Sequence, residues 1–411
     1  MEQESARHFI ARQPIFDRNM KVFAYELLYR FDGESNHAGV LDNPDQASSM
    51  TIVTSFHSIG IQRITAGKRA FVNFTDRLLL DGVATLFPQE ILVVELLESI
   101  KPTREVVMAC RQLKESGYMV ALDDFTLNEN TRQLLPLADI VKIDWLAVPP
   151  SEMGELVCSL KPRAPLLLAE KIETREAFDL ACDMGFSLFQ GFFFSKPTIL
   201  AKKKAEPLAV HYMQLVRSAF REEVEFVELA RIIRRDAVLA YRLLRLVNSA
   251  YFGMQYEVTD IQSALAILGM SETRKWISLL VMMGLSEDKT DELVRVSLIR
   301  GRALELYCLR YLTPAESDNF FLTGLFSLLD VILDSKMDEV MQELSAPQAL
   351  HRVLVDGLGE AAGLLRLLTF YERGGWEEVE EECRRQNLSL DVVTRLYMEA
   401  VLWSGDFSID G

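Results

Sequence analysis

The chain lacks most of the patterns that would assign it a function at sight. No apolar run approaches the ~20 residues of a membrane span; WISLLVMMG, beginning at Trp276, is among the longest and falls far short. The five cysteines, Cys110, Cys158, Cys182, Cys308 and Cys383, are scattered and form no C-x-x-C pair, which argues against a disulfide framework or a cysteine zinc site. The five histidines, His8, His37, His57, His211 and His351, form neither H-x-x-x-H nor a His-Asp dipeptide. Any metal must therefore be held by oxygen ligands. Positive charge is also scarce: 44 Lys and Arg face 60 Asp and Glu, a formal net charge of −16. A nucleic-acid binder gains affinity by neutralising phosphates with Lys and Arg, so DNA and RNA are poor partners for this chain. The N-terminal stretch MEQESARHF has no signal-peptide pattern. A cytoplasmic protein with no membrane span is expected.

With 411 residues, 49% of them hydrophobic, the chain is globular and long enough for two or three domains at roughly 150 residues each. In its first half, short apolar runs rich in β-branched and aromatic residues alternate with helical stretches: FAYELLYR, RAFVNFT, ILVVELLES, YMVALDDF, DIVKIDW, PLLLAEKIE and SLFQGFFF. That alternation marks a parallel sheet covered on both faces, and with HFIARQPIF as an eighth strand it predicts a compact, closed α/β barrel of the TIM type. Polar residues recur at or near the strand ends: Glu26, Asn73, Glu95 with Glu98, Asp123 with Asp124, Lys142 with Asp144, Glu170 with Glu173, and Gln190. In a barrel those ends converge on one face. Carboxylates gathered there repel one another by several kcal/mol per close pair unless cations neutralise them, and magnesium or manganese suits oxygen ligands.

The stretch SKPTILAKKKAEPLAV interrupts the pattern with Pro197, Pro207 and three consecutive lysines. It divides the chain into a barrel domain, 1–203, and a second domain, 204–411. Downstream the apolar spacing is helical throughout, which predicts an all-α bundle. TDIQSALAILG reads as one capped helix, with Thr259 or Asp260 as N-cap and Gly269 as its stop. Arg231 to Arg245 reads as a core-facing helix with a solvated basic face. GLGEAAG at Gly357 misses the dinucleotide-binding spacing and reads as a helix start.

The motifs QPIFD, YELLYR, FVNFT, VVELLES, ALDDF, VKID, AEKIET and QGFFFSKP occur in the order found in the EAL family, which the first half resembles. Members hydrolyse cyclic di-GMP to a linear dinucleotide with two divalent cations. The resemblance implies Glu26, Asn73, Glu95, Asp123 and Asp124 as metal ligands for two Mg2+ or Mn2+ ions. It implies Lys142 and Glu170 as the residues that position or activate the attacking water, and Gln190 beside the metals. Gln13 and Arg30 would contact the nucleotide, while Glu98 and Glu173 would support the loop.

The second half is similar to the HDOD family on RDAVLAYRLLRLVNSAYFG, IQSALAILGM and FLTGLFSLLDVIL. Ser327 and Leu328 stand where a catalytic relative carries its His-Asp pair, so this half is expected to act by protein interaction and not by hydrolysis. Together the two halves resemble bacterial EAL–HDOD signalling proteins. The expected partners are cyclic di-GMP and a protein that docks on the second half, and a homodimer is left open.

Three features depart from the family pattern, one of them Leu97, which replaces a threonine in VVELLES. The loop after Asp124, TLNENTRQ, holds no glycine, although Asn128 and Asn130 tolerate left-handed backbone, and Lys171 follows Glu170 where glycine is usual. The expected function is thus a barrel that binds cyclic di-GMP with or without slow hydrolysis; the alternative is a scaffold working through both domains by protein contact.

Overall fold

The structure, a computed structural model, describes residues 8–31, 60–161, 166–196, 207–221, 223–248, 257–286 and 289–405. The expected boundary segment lies largely outside these residues, as do the side chain of Arg30 and the YFG end of the VNSAYFG motif.

Eight strands close a barrel in chain order. They are β1 (His8–Asp17), β2 (Val22–Phe31), β3 (Arg69–Phe74), β4 (Leu92–Leu96), β5 (Met119–Leu122), β6 (Ile140–Asp144), β7 (Leu166–Glu170) and β8 (Leu188–Gln190). Strands β2 to β8 pair in parallel, whereas β1 is antiparallel to both β2 and β8. This departs from the all-parallel expectation, and the cause is local. Asp17 Oδ1 accepts from the backbone N–H groups of Asn19 and Lys21, closing a tight turn. A link that short cannot make the crossover that parallel pairing requires.

The connecting helices are α1 (Ile61–Ile64), α2 (Asp76–Leu80), α3 (Arg104–Glu115), α4 (Glu129–Leu134), α5 (Pro150–Leu160) and α6 (Arg175–Met184). Side-chain caps start several of them: Thr75, Thr103 and Thr174 accept from Leu78, Val106 and Ala177 N–H respectively.

The second half is helical, with α7 (Pro207–Phe220), α8 (Phe226–Ile233), α9 (Ala237–Val247), α10 (Ile261–Leu285), α11 (Asp291–Tyr311), α12 (Ser317–Phe326), α13 (Leu329–Leu333), α14 (Met337–Leu344), α15 (Gln348–Leu354), α16 (Glu360–Glu372), α17 (Trp376–Gln386) and α18 (Leu390–Ser404). Asp260 caps α10, its carboxylate accepting from Ser263 N–H. Gly269 ends the first part of α10, as expected: with φ 77° and ψ 167° it is not helical, and a second helical run begins directly after it.

The chain forms two compact units. One comprises Met1–Lys196 with Arg366–Phe407, the other Pro197–Leu365 with the last four residues. This is not the split at 203/204 anticipated from the change in period, because the C-terminal segment folds with the barrel. Helix α18 packs on β1 and α1. The fully buried Tyr371 hydroxyl donates to the Ile10 carbonyl at 2.9 Å. In the helical unit Ser327 Oγ accepts from Arg300 and donates to the Gly324 carbonyl.

Candidate active site

The barrel interior explains where the polar residues go. Its floor is a layer of eight buried residues, one from each strand: Ile15, Ala24, Phe71, Val93, Ala121, Ile140, Leu168 and Leu188. Side chains two apart on a strand share a face. Two residues beyond the floor stand Glu26, Asn73, Glu95, Asp123, Lys142, Glu170 and Gln190, and on the reversed strand β1 the matching position is two residues earlier, Gln13. Gln13 pairs with Glu26 and Asn73 with Glu95 within the tier, whereas elsewhere the register steps by two, with Glu26 opposite Phe71, Glu95 opposite Ala121, Lys142 opposite Leu168 and Ile15 opposite Gln190. The eight form one inward-facing polar tier on an apolar floor.

Lys142, fully buried, is the hub of this tier. Its ammonium lies 2.8 Å from Asp123 Oδ1, 2.9 Å from Glu170 Oε1 and 3.4 Å from Glu26 Oε2, and it also bonds Glu95. One ammonium cannot balance four carboxylates in a desolvated interior, and the acidities show it. Burial pushes Glu95 well above the ordinary carboxylate range, against the pull of Lys142. Glu170 is pushed up to about 8 by burial, with Lys142 again opposing. For Asp123 burial acts upward too, but Lys142 prevails and holds it low. Lys142 itself stays charged: burial disfavours the ammonium, and Glu170, Glu26, Glu95 and Asp123 outweigh that, raising its pKa well above normal.

Three buried oxygens in the tier have no hydrogen-bond partner: Asn73 Oδ1, Glu95 Oε2 and Gln190 Oε1. All are acceptors. Unpaired buried acceptors are costly, so a group of them beside excess negative charge fits a hard cation. Asp124, at the rim, lies with Asp123 and Glu98 in a group whose carboxylate oxygens are within 4.8 Å of one another, the one such metal-competent group among the described residues. Burial, and then the charge of Asp123, raises the pKa of Asp124. The residues present fit divalent metal on the donor set alone.

The remaining expected residues are placed as follows. Gln13 joins the tier through its amide, whose Oε1 accepts from Gln190 Nε2 at 2.8 Å. Gln190 Nε2 also donates to Glu26 Oε2 at 2.7 Å. Gly191 follows in the left-handed region, φ 144°, where a Cβ would strike the Ile172 backbone; glycine thus lets β8 end against that chain. Glu173 pairs with exposed Lys196 at 3.1 Å, apart from the Glu98 group. Asp144 does not pair with Lys142. One of its oxygens accepts from Leu146 and Ala147 N–H and the other binds Lys171, whose ammonium is thereby drawn toward Asp144.

The glycine-free loop after Asp124 is ordered by side chains. Asn128 Oδ1 accepts from Asn130 and Thr131 N–H, and Thr131 Oγ1 accepts in return from Asn128 N–H, a capping box that starts α4. Left-handed backbone falls on Asp124 (φ 40°) and Lys171 (φ 55°), not on the asparagines singled out for it.

The EAL domain family matches residues 45–197 and the HDOD domain family residues 206–361. The chain is 35% identical to YuxH, an uncharacterized protein of Bacillus subtilis, over 97% of this chain and 98% of that one. It is 34% identical to the cyclic di-GMP phosphodiesterase CdgJ of Vibrio cholerae, over 97% of this chain and 93% of that one. Among solved structures, the EAL enzyme Bd1971 with cAMP and cyclic di-GMP bound aligns with a TM-score of 0.39 at 18% identity, covering 46% of this chain and 61% of that one.

Proposed function

The chain belongs to the family of proteins that join an EAL domain to an HDOD domain, and from that premise we propose that it is a cyclic di-GMP signalling protein. Its barrel binds cyclic di-GMP and hydrolyses it with divalent metal. The observation that carries this reading is the polar tier, where unpaired acceptor oxygens and uncompensated carboxylates sit together on an apolar floor.

Glu26, Asn73, Glu95, Asp123 and Asp124 would hold two cations, Mg2+ or Mn2+, with Glu98 at the rim. Bound there, such cations supply Lewis acidity toward the phosphodiester and lower the pKa of a coordinated water. Glu170, 2.9 Å from the Lys142 ammonium, is placed to accept, in its ionised form, the proton of the attacking water. Lys142 keeps the carboxylates in register, and its positive charge would stabilise negative charge on the phosphoryl oxygens. Attack breaks one phosphodiester bond, and the departing ribose oxygen takes up a proton, leaving a linear dinucleotide. By the family resemblance, Gln13 and Arg30 would contact the nucleotide. Glu173, tied to Lys196, steadies the turn after β7.

The helical unit is proposed to be a non-catalytic output module that binds a protein partner. Ser327 supports this, because its hydroxyl is committed to Arg300 and to the Gly324 carbonyl. No helix of the described residues is long and apolar enough to cross a membrane.

Calorimetry with cyclic di-GMP, with and without Mn2+, combined with product analysis, tests the proposal. Wild type is expected to bind the nucleotide and form linear dinucleotide, and Glu26→Ala to form none. A chain that binds nothing under any condition is a scaffold, and the proposal fails; turnover that survives Glu26→Ala removes the metal assignment.

A further inference from the structure

The C-terminal segment of the barrel unit grips the β1–β2 ribbon at three places. Tyr371 reaches the Ile10 carbonyl. Gly374, with φ 66°, lies so close to β2 that a Cβ would stand 2.6 Å from Leu28 Cδ1. Between them the main-chain carbonyl of Arg373 accepts from Gln13 Nε2 at 2.7 Å.

That last bond has consequences inside the barrel. A carbonyl can only accept, so it fixes which end of the Gln13 amide faces it. Gln13 Oε1 must then turn toward Gln190, and it accepts from Gln190 Nε2. The second hydrogen of that NH2 goes to Glu26. Both donors of Gln190 are thus spent, and its Oε1 is left buried and unpaired in the tier. Were the Arg373 carbonyl withdrawn, Gln13 could reverse and present its own NH2 to Gln190, donor against donor. Gln190 would then keep only Glu26 of the two acceptors that hold its NH2 and turn its Oε1 into the tier.

We propose that the Arg373 carbonyl, held by Tyr371 and Gly374, is a positioning element of the site, setting the sense of both amides so that Gln190 offers oxygen to bound metal. This rests on the metal-dependent reading above. It means that the barrel strands do not by themselves complete the site: a contact from beyond the HDOD match, 360 residues along the chain from Gln13, does so.

The test uses the full chain and Mn2+ alone, with free and bound ion measured by electron paramagnetic resonance, and cyclic di-GMP turnover as a second readout. Gly374→Val pushes the Arg373 carbonyl off β1, and Gln13→Met deletes the amide. Each is expected to weaken Mn2+ binding by about 10- to 100-fold, the usual effect of losing a group that orients ligands. Leu396→Ala, a cavity in α18 of the same segment, should lower the melting temperature while Mn2+ affinity holds. If Gly374→Val does not fold, Gln13→Met decides. Wild-type affinity in both variants overturns the inference and leaves the function intact, as does an equal loss in Leu396→Ala; a wild type that binds no Mn2+ overturns both.

Discussion

Lys142 in the barrel and Lys275 in the helical unit are both enclosed by carboxylates. Lys142 meets Glu26, Glu95, Asp123 and Glu170; Lys275 meets Glu272, Glu305 and Asp318, joining α10 to α11 and α12. The difference lies in what surrounds them. Around Lys275, Arg302 adds a second cation on Glu305 at 2.6 Å, and Glu272 is more than half exposed, so water and arginine share the balancing. Lys275 also sits 5.6 Å from the centre of the Phe321 ring. Around Lys142 no second cation enters among the described residues, its partners are buried or nearly so, and unpaired oxygens remain. The same residue types therefore make a closed structural knot in one unit and an open ligand set in the other. Charge balance, more than composition, separates a site from a brace.

Removing each lysine should break the comparison most sharply. Lys142→Met leaves four buried carboxylates with no counter-charge. Without metal, at pH 8, it is expected to cost about 3–5 kcal/mol in urea unfolding. Mn2+ at about a hundred times its Kd should return about 2.7 kcal/mol of that. A Lys142→Met protein as stable as wild type in chelator would mean that the tier is not short of positive charge. Lys275→Met should cost less, about 1–3 kcal/mol, because its acids retain arginine and water. Its loss should be the same with Mn2+ or chelator.

A second contrast is in pH dependence. Glu170 has a folded pKa raised to about 8 by burial. Its protonation stabilises the fold fully below the unfolded carboxyl pKa of about 4.3, and that stabilisation is lost as pH rises through about 8. Melting temperatures of metal-free wild type should therefore fall across this window. Glu170→Gln should flatten the fall, since glutamine does not titrate, while Lys275→Met should keep it. An unchanged slope in Glu170→Gln would assign the dependence to other groups.

Much of the site could be read directly because it obeys a period of two. Glu26, Asn73, Glu95, Asp123, Lys142, Glu170 and Gln190 each follow an inward apolar residue by two, and strand chemistry makes that spacing visible. The capping of α10 by Asp260 was equally local. The unit boundary was not. Residues 366–404 have the same helical period as the unit before them, and their tie to the barrel is a bond between Tyr371 and Ile10, 361 residues apart. Periodicity reports which face of an element is apolar, not which distant surface covers it. Gly269 was local in the way that Asp260 was: its positive φ ends one helix, and a second begins directly after it.

The finest contrast between the units sets one helix cap against another. Asn128 starts α4 next to Asp124, and Asp260 starts α10 in the helical unit; both accept backbone N–H groups with a side-chain oxygen. Alanine at either position should cost about 1 kcal/mol of stability, the usual effect of a lost cap. Only the first cap also orders a loop that leaves the metal-competent group, since Thr131 Oγ1, held by Asn128, reaches back to the Thr126 carbonyl at 2.6 Å. Asn128→Ala should therefore weaken Mn2+ binding severalfold beyond its thermal effect, while Asp260→Ala should leave binding as in wild type. Equal Mn2+ affinities in the two variants would show that the capping box secures a helix and nothing more. A larger loss in Asn128→Ala would mean that side-chain capping has replaced glycine as the means of ordering the chain after Asp123 and Asp124.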